Sequence, residues 1–375
     1  MATSIDVHFG DLPDPRRRQG RRHRLSDMLV IAVTAVICAA DSWADVHDFG
    51  QAKLNWFKAF LELPHGIPSQ DTFERVFSRL DPEAFERCFV AWTQALSASS
   101  AGRLVAVDGK RIRRSFEHAW SQSTAVHLVS AFVSANATVF AQQAVKSKEN
   151  EITAIPRLLA LLDLRGSTVT IDAMGCQTAI ARQIVEQGGD YVLCVKDNQP
   201  GLARALQADL DDMIRSKFKG VPHDFWETVD GDHGRIETRR AWITSQIDWL
   251  GLERDRWLQL RSVGVIERVR ELPTTGTSRE RSYYISSLDG TDAQRFATAV
   301  REHWGIENRL HYVLDVAFSE DQSRVRTRNA AENLSRIRRI ALNLLRREYT
   351  KKRGIKGKRL NAAWDHDYLL KLLTG

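Results

Sequence analysis

Apolar residues recur at helical spacing through the first quarter of the chain and at strand spacing from about residue 103 onward. Met28 to Ala40 is apolar except for Thr34 and is bracketed by Asp27 and Asp41. It falls short of the ~20 residues that span a bilayer and predicts a buried helix. Phe73, Val76, Phe77 and Leu80 stand at i, i+3, i+4 and i+7 and form one apolar face. Asp71 followed by Glu74 predicts a capping box for that helix. Asp81-Pro82-Glu83 starts another, with aspartate as N-cap and proline at the first helical position. Its stripe is Phe85, Cys88, Phe89, Trp92 and Leu96. Residues 25 to 97 therefore read as all-helical, and the small, polar Ser97–Gly102 reads as a linker.

Beyond it the period changes. Val105–Val107, His127–Val133 and Val139–Val145 are β-branched or apolar runs, the last two parted by a turn-like Ser-Ala-Asn-Ala. Asn150–Leu162 predicts a helix with Asn150 at its cap, Val169–Ile171 a strand, and Gln177–Gln187 a helix. Asp190–Lys196 predicts a strand and Leu202–Arg215 a helix. The order β-β-β-α-β-α-β-α predicts an α/β fold, a mixed sheet flanked by helices, and is that of an RNase H-like domain. From 221 to 288 the runs Ile236–Ile243, Trp257–Val269 and Arg281–Ser286 predict a β-rich insertion separate from that sheet. Helix returns at Asp292. Leu334, Ile337, Ala341, Leu344 and Leu345 form one face of a late helix, with Arg336, Arg338, Arg339, Arg346 and Arg347 on the others.

Charge sharpens the picture. The net charge is +7 and the pI near 9.3, with the excess gathered at two places. Arg16, Arg17, Arg18, Arg21, Arg22 and Arg24 crowd one; Lys351, Lys352, Arg353, Lys356, Lys358 and Arg359 crowd the other. Such clusters read either as a polyanion footprint or as solvated tails. Ser69–Thr72, opening a short helix, similarly reads as a DNA-reading element or as plain packing. Cys38, Cys88, Cys176 and Cys194 are scattered, without a C-x-x-C pair, which suits reduced thiols in a cytoplasmic protein rather than a disulfide framework or zinc knuckle. No secretory signal pattern is evident in the Arg-rich beginning.

The chemistry carriers are acidic. Leu104-Val-Ala-Val-Asp108-Gly and Thr168-Val-Thr-Ile-Asp172-Ala each end a short strand on an aspartate. A side chain there leaves a rigid element at the sheet's edge; the plainer alternative is that each caps the following turn. Glu307 lies in a helix-like stretch with His303 and His311 four residues to either side, which would stack all three on one face. Two strand-end aspartates and a glutamate can hold two Mg²⁺ ions, with Mn²⁺ able to substitute, against a phosphodiester. A mononuclear His–Glu–His site is the alternative, and a zinc hydrolase its functional form. Trp304 beside that face either stacks on an unpaired base or joins Leu310 and Leu314 in the core.

Several long motifs carry a resemblance. They are Asp14-Pro-Arg16, Gly66-Ile-Pro-Ser-Gln-Asp-Thr-Phe73, Val107-Asp-Gly-Lys-Arg-Ile-Arg113, His127-Leu-Val-Ser-Ala-Phe132 and Asn150-Glu-Ile-Thr-Ala-Ile-Pro156. Thr170-Ile-Asp-Ala-Met-Gly-Cys-Gln177, His233-Gly-Arg235, His303-Trp-Gly-Ile-Glu-Asn308 and Leu314-Asp-Val-Ala-Phe-Ser-Glu-Asp321 complete the set. Together they resemble the bacterial H-repeat-associated insertion-sequence transposases of the DDE group, from about residue 9 to 373. The resemblance implies that Asp108, Asp172 and Glu307 are the catalytic, metal-binding triad. The implied activity is cleavage at the ends of a mobile element and transfer of the 3′-OH into target DNA. The double-stranded partners would be terminal inverted repeats and target DNA, bound by a homodimer or higher oligomer in the bacterial nucleoid. The implied layout is an N-terminal helical DNA-binding domain (1–99), a catalytic domain (100–350, with 221–288 the insertion) and a basic C-terminal tail (351–375). Arg16, Arg17, Arg18, Arg21, Arg22, Lys110, Lys196, His303, Trp304, His311, Lys356, Lys358 and Arg359 are the expected DNA contacts. The broader superfamily's tyrosine, arginine and lysine around the glutamate are replaced here by Val300, His303 and Leu314. A DNA-binding protein that has lost cleavage and a stand-alone structure-specific nuclease are the rival functions.

Overall fold

The computed structural model describes residues 4–96, 103–116, 125–146, 149–232, 235–272 and 276–374. The expected Ser97–Gly102 linker and the His233-Gly234 pair lie outside them. Helices α1 (Ser4–Phe9), α2 (Leu25–Ile37), α3 (Trp43–Ala52), α4 (Leu54–Phe57), α5 (Gln70–Arg79) and α6 (Pro82–Leu96) come first. Every residue of α2 from Met28 onward is buried, as its apolar run predicts. The cap of α5 is Ser69 rather than Asp71: Ser69 Oγ accepts from the Thr72 amide at 3.3 Å. Asp71 falls in the first turn, where its charge suits the positive end of the helix. Asp81 serves α6 as expected, accepting from the Glu83 amide.

Nine strands form one sheet among the described residues. They are β1 (Leu104–Arg111), β2 (His127–Val133), β3 (Thr138–Ala144), β4 (Thr168–Ile171), β5 (Asp190–Val195), β6 (Asp224–Asp232), β7 (Arg235–Thr244), β8 (Ser262–Leu272) and β9 (Gly276–Ser286), in the order β3-β2-β1-β4-β5-β9-β8-β7-β6. β1, β4 and β5 run parallel, and every other pairing is antiparallel. The β-rich stretch is thus not separate from the sheet. β9 pairs with β5, Val192 opposite Ser286 through Val195 opposite Tyr283, and extends the sheet by four strands. An unpaired β5 edge would leave a row of backbone donors and acceptors open, and β9 satisfies them.

The sheet is covered on both faces. α7 (Glu151–Leu159), α8 (Thr178–Glu186) and α9 (Pro200–Arg215) pack on the face presented by Val105, Val107, Val129 and Val169. Asn150 caps α7 as expected, accepting from the Thr153 amide. A short α10 (Leu252–Arg256) precedes β8. On the opposite face lie α6, α11 (Ala293–Gly305) and the long α13 (Ala330–Arg347), reached through α12 (Tyr312–Phe318). Ala106, Phe132 and Val139 join α12 and α13 in one apolar core, together with α1 to α6, α14 (Ile355–Trp364) and α15 (His366–Thr374), while α11 packs Phe296 and Val300 against Val192, Ile243 and Tyr284 of the sheet. Among the described residues no helix is long and apolar enough to cross a membrane. The four cysteines carry free thiols.

Several arginines and lysines that the sequence places on helix surfaces or in a basic tail are instead engaged inside the protein. Arg336, Arg338 and Arg339 of α13 are fully buried rather than solvated. Arg336 donates to Glu86 at 2.6 Å and Arg339 to Glu320 at 2.9 Å, the pairing that permits charge in an apolar interior. In place of a free basic tail, α14 and α15 dock on the core through Ala362, Tyr368, Leu369, Leu372 and Leu373. Lys358 there donates to the Leu345 and Glu348 carbonyls. Arg359 donates to the Val36 carbonyl at 2.8 Å and the Ile37 carbonyl at 3.3 Å, closing the C-terminal end of α2.

Glu348 fastens α15 by accepting from Tyr368 Oη at 3.0 Å. Burial pushes its carboxyl up, but bonds from Thr350, Lys351 and Tyr368 outweigh that and bring it down to about 2. A depressed carboxyl stabilises the fold above its unfolded value and loses that contribution as pH falls toward the folded one. Amides of α14 and α15 are therefore expected to lose hydrogen-exchange protection between about pH 4.5 and pH 2. In Glu348→Gln that protection should be low at neutral pH and should not change across the window.

Candidate catalytic site

β1 and β4 are parallel neighbours matched from Leu104 opposite Thr168 to Val107 opposite Ile171. Asp172 directly follows the end of β4 as expected, but Asp108 does not end its strand: β1 continues to Arg111, with Asp108 opposite Ser130 of β2, and only its pairing with β4 stops at Val107. The two carboxylates therefore stand side by side where β1 and β4 part. Asp108 shares the parity of Ala106 and faces the α11 side; Gly109 shares that of Val107 and faces α7. Asp172 also caps the turn Ala173–Gly175, its Oδ1 accepting from the Met174 and Gly175 amides at 3.1 and 3.3 Å. Both the catalytic and the turn-capping readings of Asp172 are thus compatible with its geometry, since both bonds fall on one oxygen.

Glu307 enters through a break in helical winding. Between α11 and α12, residues Ile306–His311 form a wider π-helical turn, a rare feature that is frequent at functional sites. The winding separates the three side chains expected on one face. His303 turns inward to Thr170 Oγ1 at 3.1 Å, and His311 Nδ1 lies 3.4 Å from Asp108 Oδ2, while Glu307 is exposed. Burial holds the His303 imidazole down to about 4 and His311 to about 3, the latter helped by Arg339 and Lys110. Both rings are neutral near pH 7, so neither supplies a cation to a phosphate. The His303–Glu307–His311 metal site does not form. Among the described residues no three His, Cys, Asp or Glu side chains stand close enough to share one ion as placed.

The acidic groups nevertheless feel one another. Burial pushes the Asp108 carboxyl up to about 7, and the charges of Asp172, Glu151 and Glu307 add to the rise. Asp172 is raised as well, by burial and by Glu151, against bonds from Gly175 and Met174 and the opposing charge of Lys196. Mutual repulsion works against closer approach of such a set. Its donors are all carboxylate oxygens, the ligand type hard divalent cations take, and its excess negative charge is what such a cation offsets. The donor chemistry fits; the ligand sphere is not preassembled.

The expected basic contacts divide. Arg16 is held in the fold by a two-point bond to Asp14 at 2.9 and 2.7 Å and a third to the His23 carbonyl. Lys110 donates to Asp315 at 2.7 Å and Asp321 at 3.2 Å, tying β1 to α12 instead of reaching solvent. With Lys358 and Arg359, these side chains are engaged within the protein. Arg17, Arg18, Arg21, Arg22, Lys196 and Lys356 are exposed, although Arg21 also donates to the Arg16 and Asp14 carbonyls at 3.0 and 3.3 Å. Trp304 is 43 % exposed, with the Arg268 guanidinium 4.9 Å over its ring, and does not join Leu310 and Leu314 in the core. Residue patterning missed Glu151 and His127, which bond to each other at 2.7 Å beside Gly109. The signal present was the glycine directly after a strand-end aspartate.

Two protein families match this chain. Residues 7–93 match the DDE_Tnp_1-associated family and residues 99–344 the transposase DDE domain. A relative from Escherichia coli O157:H7, "Putative transposase YncI", is 41 % identical over 99 % of this chain and 94 % of its own length. A second from E. coli K12, "H repeat-associated putative transposase YhhI", is 38 % identical over 98 % of this chain and 97 % of its own.

Proposed function

Because the chain belongs to the DDE transposase family of insertion sequences, whose domains use divalent metal ions, we propose that it cuts DNA at the ends of its own element. In the same reading it joins the freed 3′-OH to target DNA. The observation that carries this is the register: Asp108 and Asp172 each follow the last matched pair of the parallel strands β1 and β4, and the charge of Glu307 reaches Asp108 from the π-helical turn. The antiparallel β3-β2-β1 followed by parallel β4 and β5 supports an RNase H-like catalytic unit. Residues 1–99 are the DNA-binding element.

Asp108, Asp172 and Glu307 would hold Mg²⁺, or Mn²⁺ in its place. Divalent ions at such a site make water or a 3′-hydroxyl a stronger nucleophile and stabilise the leaving oxygen. The chain's own contribution is placement. The sheet fixes both aspartates, the Asp172 cap sets one carboxylate's orientation, and Lys110 braces β1 against α12 through Asp315 and Asp321. Lys196, at the end of β5, lies where its charge already reaches Asp172 and would meet phosphate. Trp304, exposed beside the π-helical turn, offers a stacking surface for an unpaired end base. The partner is double-stranded DNA, bound by two or more copies in the bacterial cytoplasm.

The test is incubation of the protein and Mg²⁺ with a plasmid carrying the DNA that flanks its gene. Cuts at inverted-repeat boundaries and joined products support the reading. Cleavage independent of those repeats would indicate a stand-alone nuclease, and binding without cleavage a DNA-binding protein. The exposed arginines give a second expectation. Replacing Arg17, Arg18 and Arg22 with alanine should weaken binding alike across sequences. Each lost phosphate contact should flatten the log-affinity against log-salt slope by about 0.9. An unchanged slope would remove this cluster from the interface.

A further inference from the structure

We infer that Glu151 is a fourth carboxylate of the cation-binding site, reaching the strand ends from the α7 face while Glu307 reaches them from the α11 side. The inference rests on the functional reading above and deepens it.

Glu151 is the first residue of α7 and is buried, although acidic groups at helix starts ordinarily face water. Its Oε1 bonds to His127 Nε2 at 2.7 Å, and His127 is the first residue of β2, opposite Arg111 of β1. That bond fixes the carboxylate's direction as an orienting partner fixes a metal ligand. The approach depends on Gly109. A Cβ on that residue would stand 2.2 Å from Glu151 Oε1 and 2.8 Å from His127 Nε2. A side chain there would have to displace Glu151 and His127, so glycine directly after Asp108 is what admits Glu151 to this position. The negative charge of Glu151 acts on both Asp108 and Asp172. A carboxylate whose task was only to tie α7 to β2 would gain nothing from a place beside two other acids.

Mn²⁺ binding to the full chain, followed by calorimetry and by electron paramagnetic resonance, tests this without relying on cleavage. Glu151→Gln keeps a hydrogen-bonding partner for His127 and removes the charge. It should weaken Mn²⁺ binding by about 10- to 100-fold while leaving the melting temperature unchanged. Gly109→Ala should produce a similar loss by displacing Glu151, and the double variant should bind no more weakly than Gly109→Ala alone. Wild-type Mn²⁺ affinity in Glu151→Gln, with affinity lost in Asp108→Asn, would overturn the inference and leave the triad standing. Wild-type affinity in Asp108→Asn would overturn the triad and this inference together. A lowered melting temperature in Glu151→Gln with undiminished Mn²⁺ binding would make the pair a structural tie and also overturn it. Should Glu151→Gln not fold, Glu151→Asp decides: shortening the side chain by one methylene should weaken Mn²⁺ binding, and wild-type affinity would overturn the inference.

Discussion

Asp108→Asn should reduce cleavage of element-end DNA by about 10³-fold or more, roughly 4 kcal/mol of transition-state stabilisation, while end binding persists. Asp172→Asn and Glu307→Gln should do the same, since each removes a carboxylate proposed to hold a cation and none removes an exposed basic side chain. Asp108 carries a second, separable consequence. Its carboxyl, pushed up to about 7, is costly to ionise where it sits. A carboxyl raised above its unfolded value of 3.8 costs the fold nothing below that value, and the cost grows as pH climbs toward 7. Without divalent ions, Asp108→Asn should therefore melt higher than wild type at pH 8 and at about the same temperature near pH 3.5. Opposite movements of activity and stability mark a residue kept for function rather than for folding. Cleavage within a few-fold of wild type in any of the three variants would remove that residue from the triad.

The two aspartates were legible because each closes a run of four apolar or β-branched residues, although β1 itself runs on past Asp108 to Arg111. Parallel pairing then brings them together, a consequence of sheet order that no local pattern contains. Glu151 was invisible for the same physical reason. An acid in a helix's first turn is ordinary on dipole grounds alone, and only the absent Cβ of Gly109, seen against α7, gives it a different meaning. The π-helical turn has no periodic signature, so a regular helix placed His303, Glu307 and His311 on one face and the folded chain does not. β6 escaped notice because its apolar residues Phe225, Trp226 and Val229 follow no strand period, stand among acids and remain exposed at the sheet's edge. Arginine reads as surface, yet three in α13 are buried. Pairing across some 250 residues, as between Arg336 and Glu86, cannot be read from spacing.

Glu320→Gln should cost about 3–5 kcal/mol of folding stability, the range for removing one partner of a buried ion pair. Glu320 and Arg339 are both fully buried, and Glu320 Oε1 also accepts from Ser335 Oγ at 2.7 Å. Burial pushes the Glu320 carboxyl up, but the charges of Arg339 and Arg338 outweigh it and hold it below the usual range. Neutralising it leaves two guanidinium groups inside the protein without their shared counter-charge. The loss should appear in urea unfolding near pH 7 and shrink as pH falls below the ordinary glutamate range, where wild type loses the same interaction. Glu320→Leu combined with Arg339→Met should recover the part owed to Arg339, because an apolar pair of similar volume carries no desolvation cost, while Arg338 keeps only Asp41 as its counter-charge. The neighbouring residue links this pair to the site: Asp321 accepts from Lys110, two positions beyond Asp108. Divalent-ion binding should therefore weaken in Glu320→Gln at urea concentrations that leave the wild-type site intact. A stability loss below about 1 kcal/mol would mean that water reaches Arg339 and that α13 is not sealed as described.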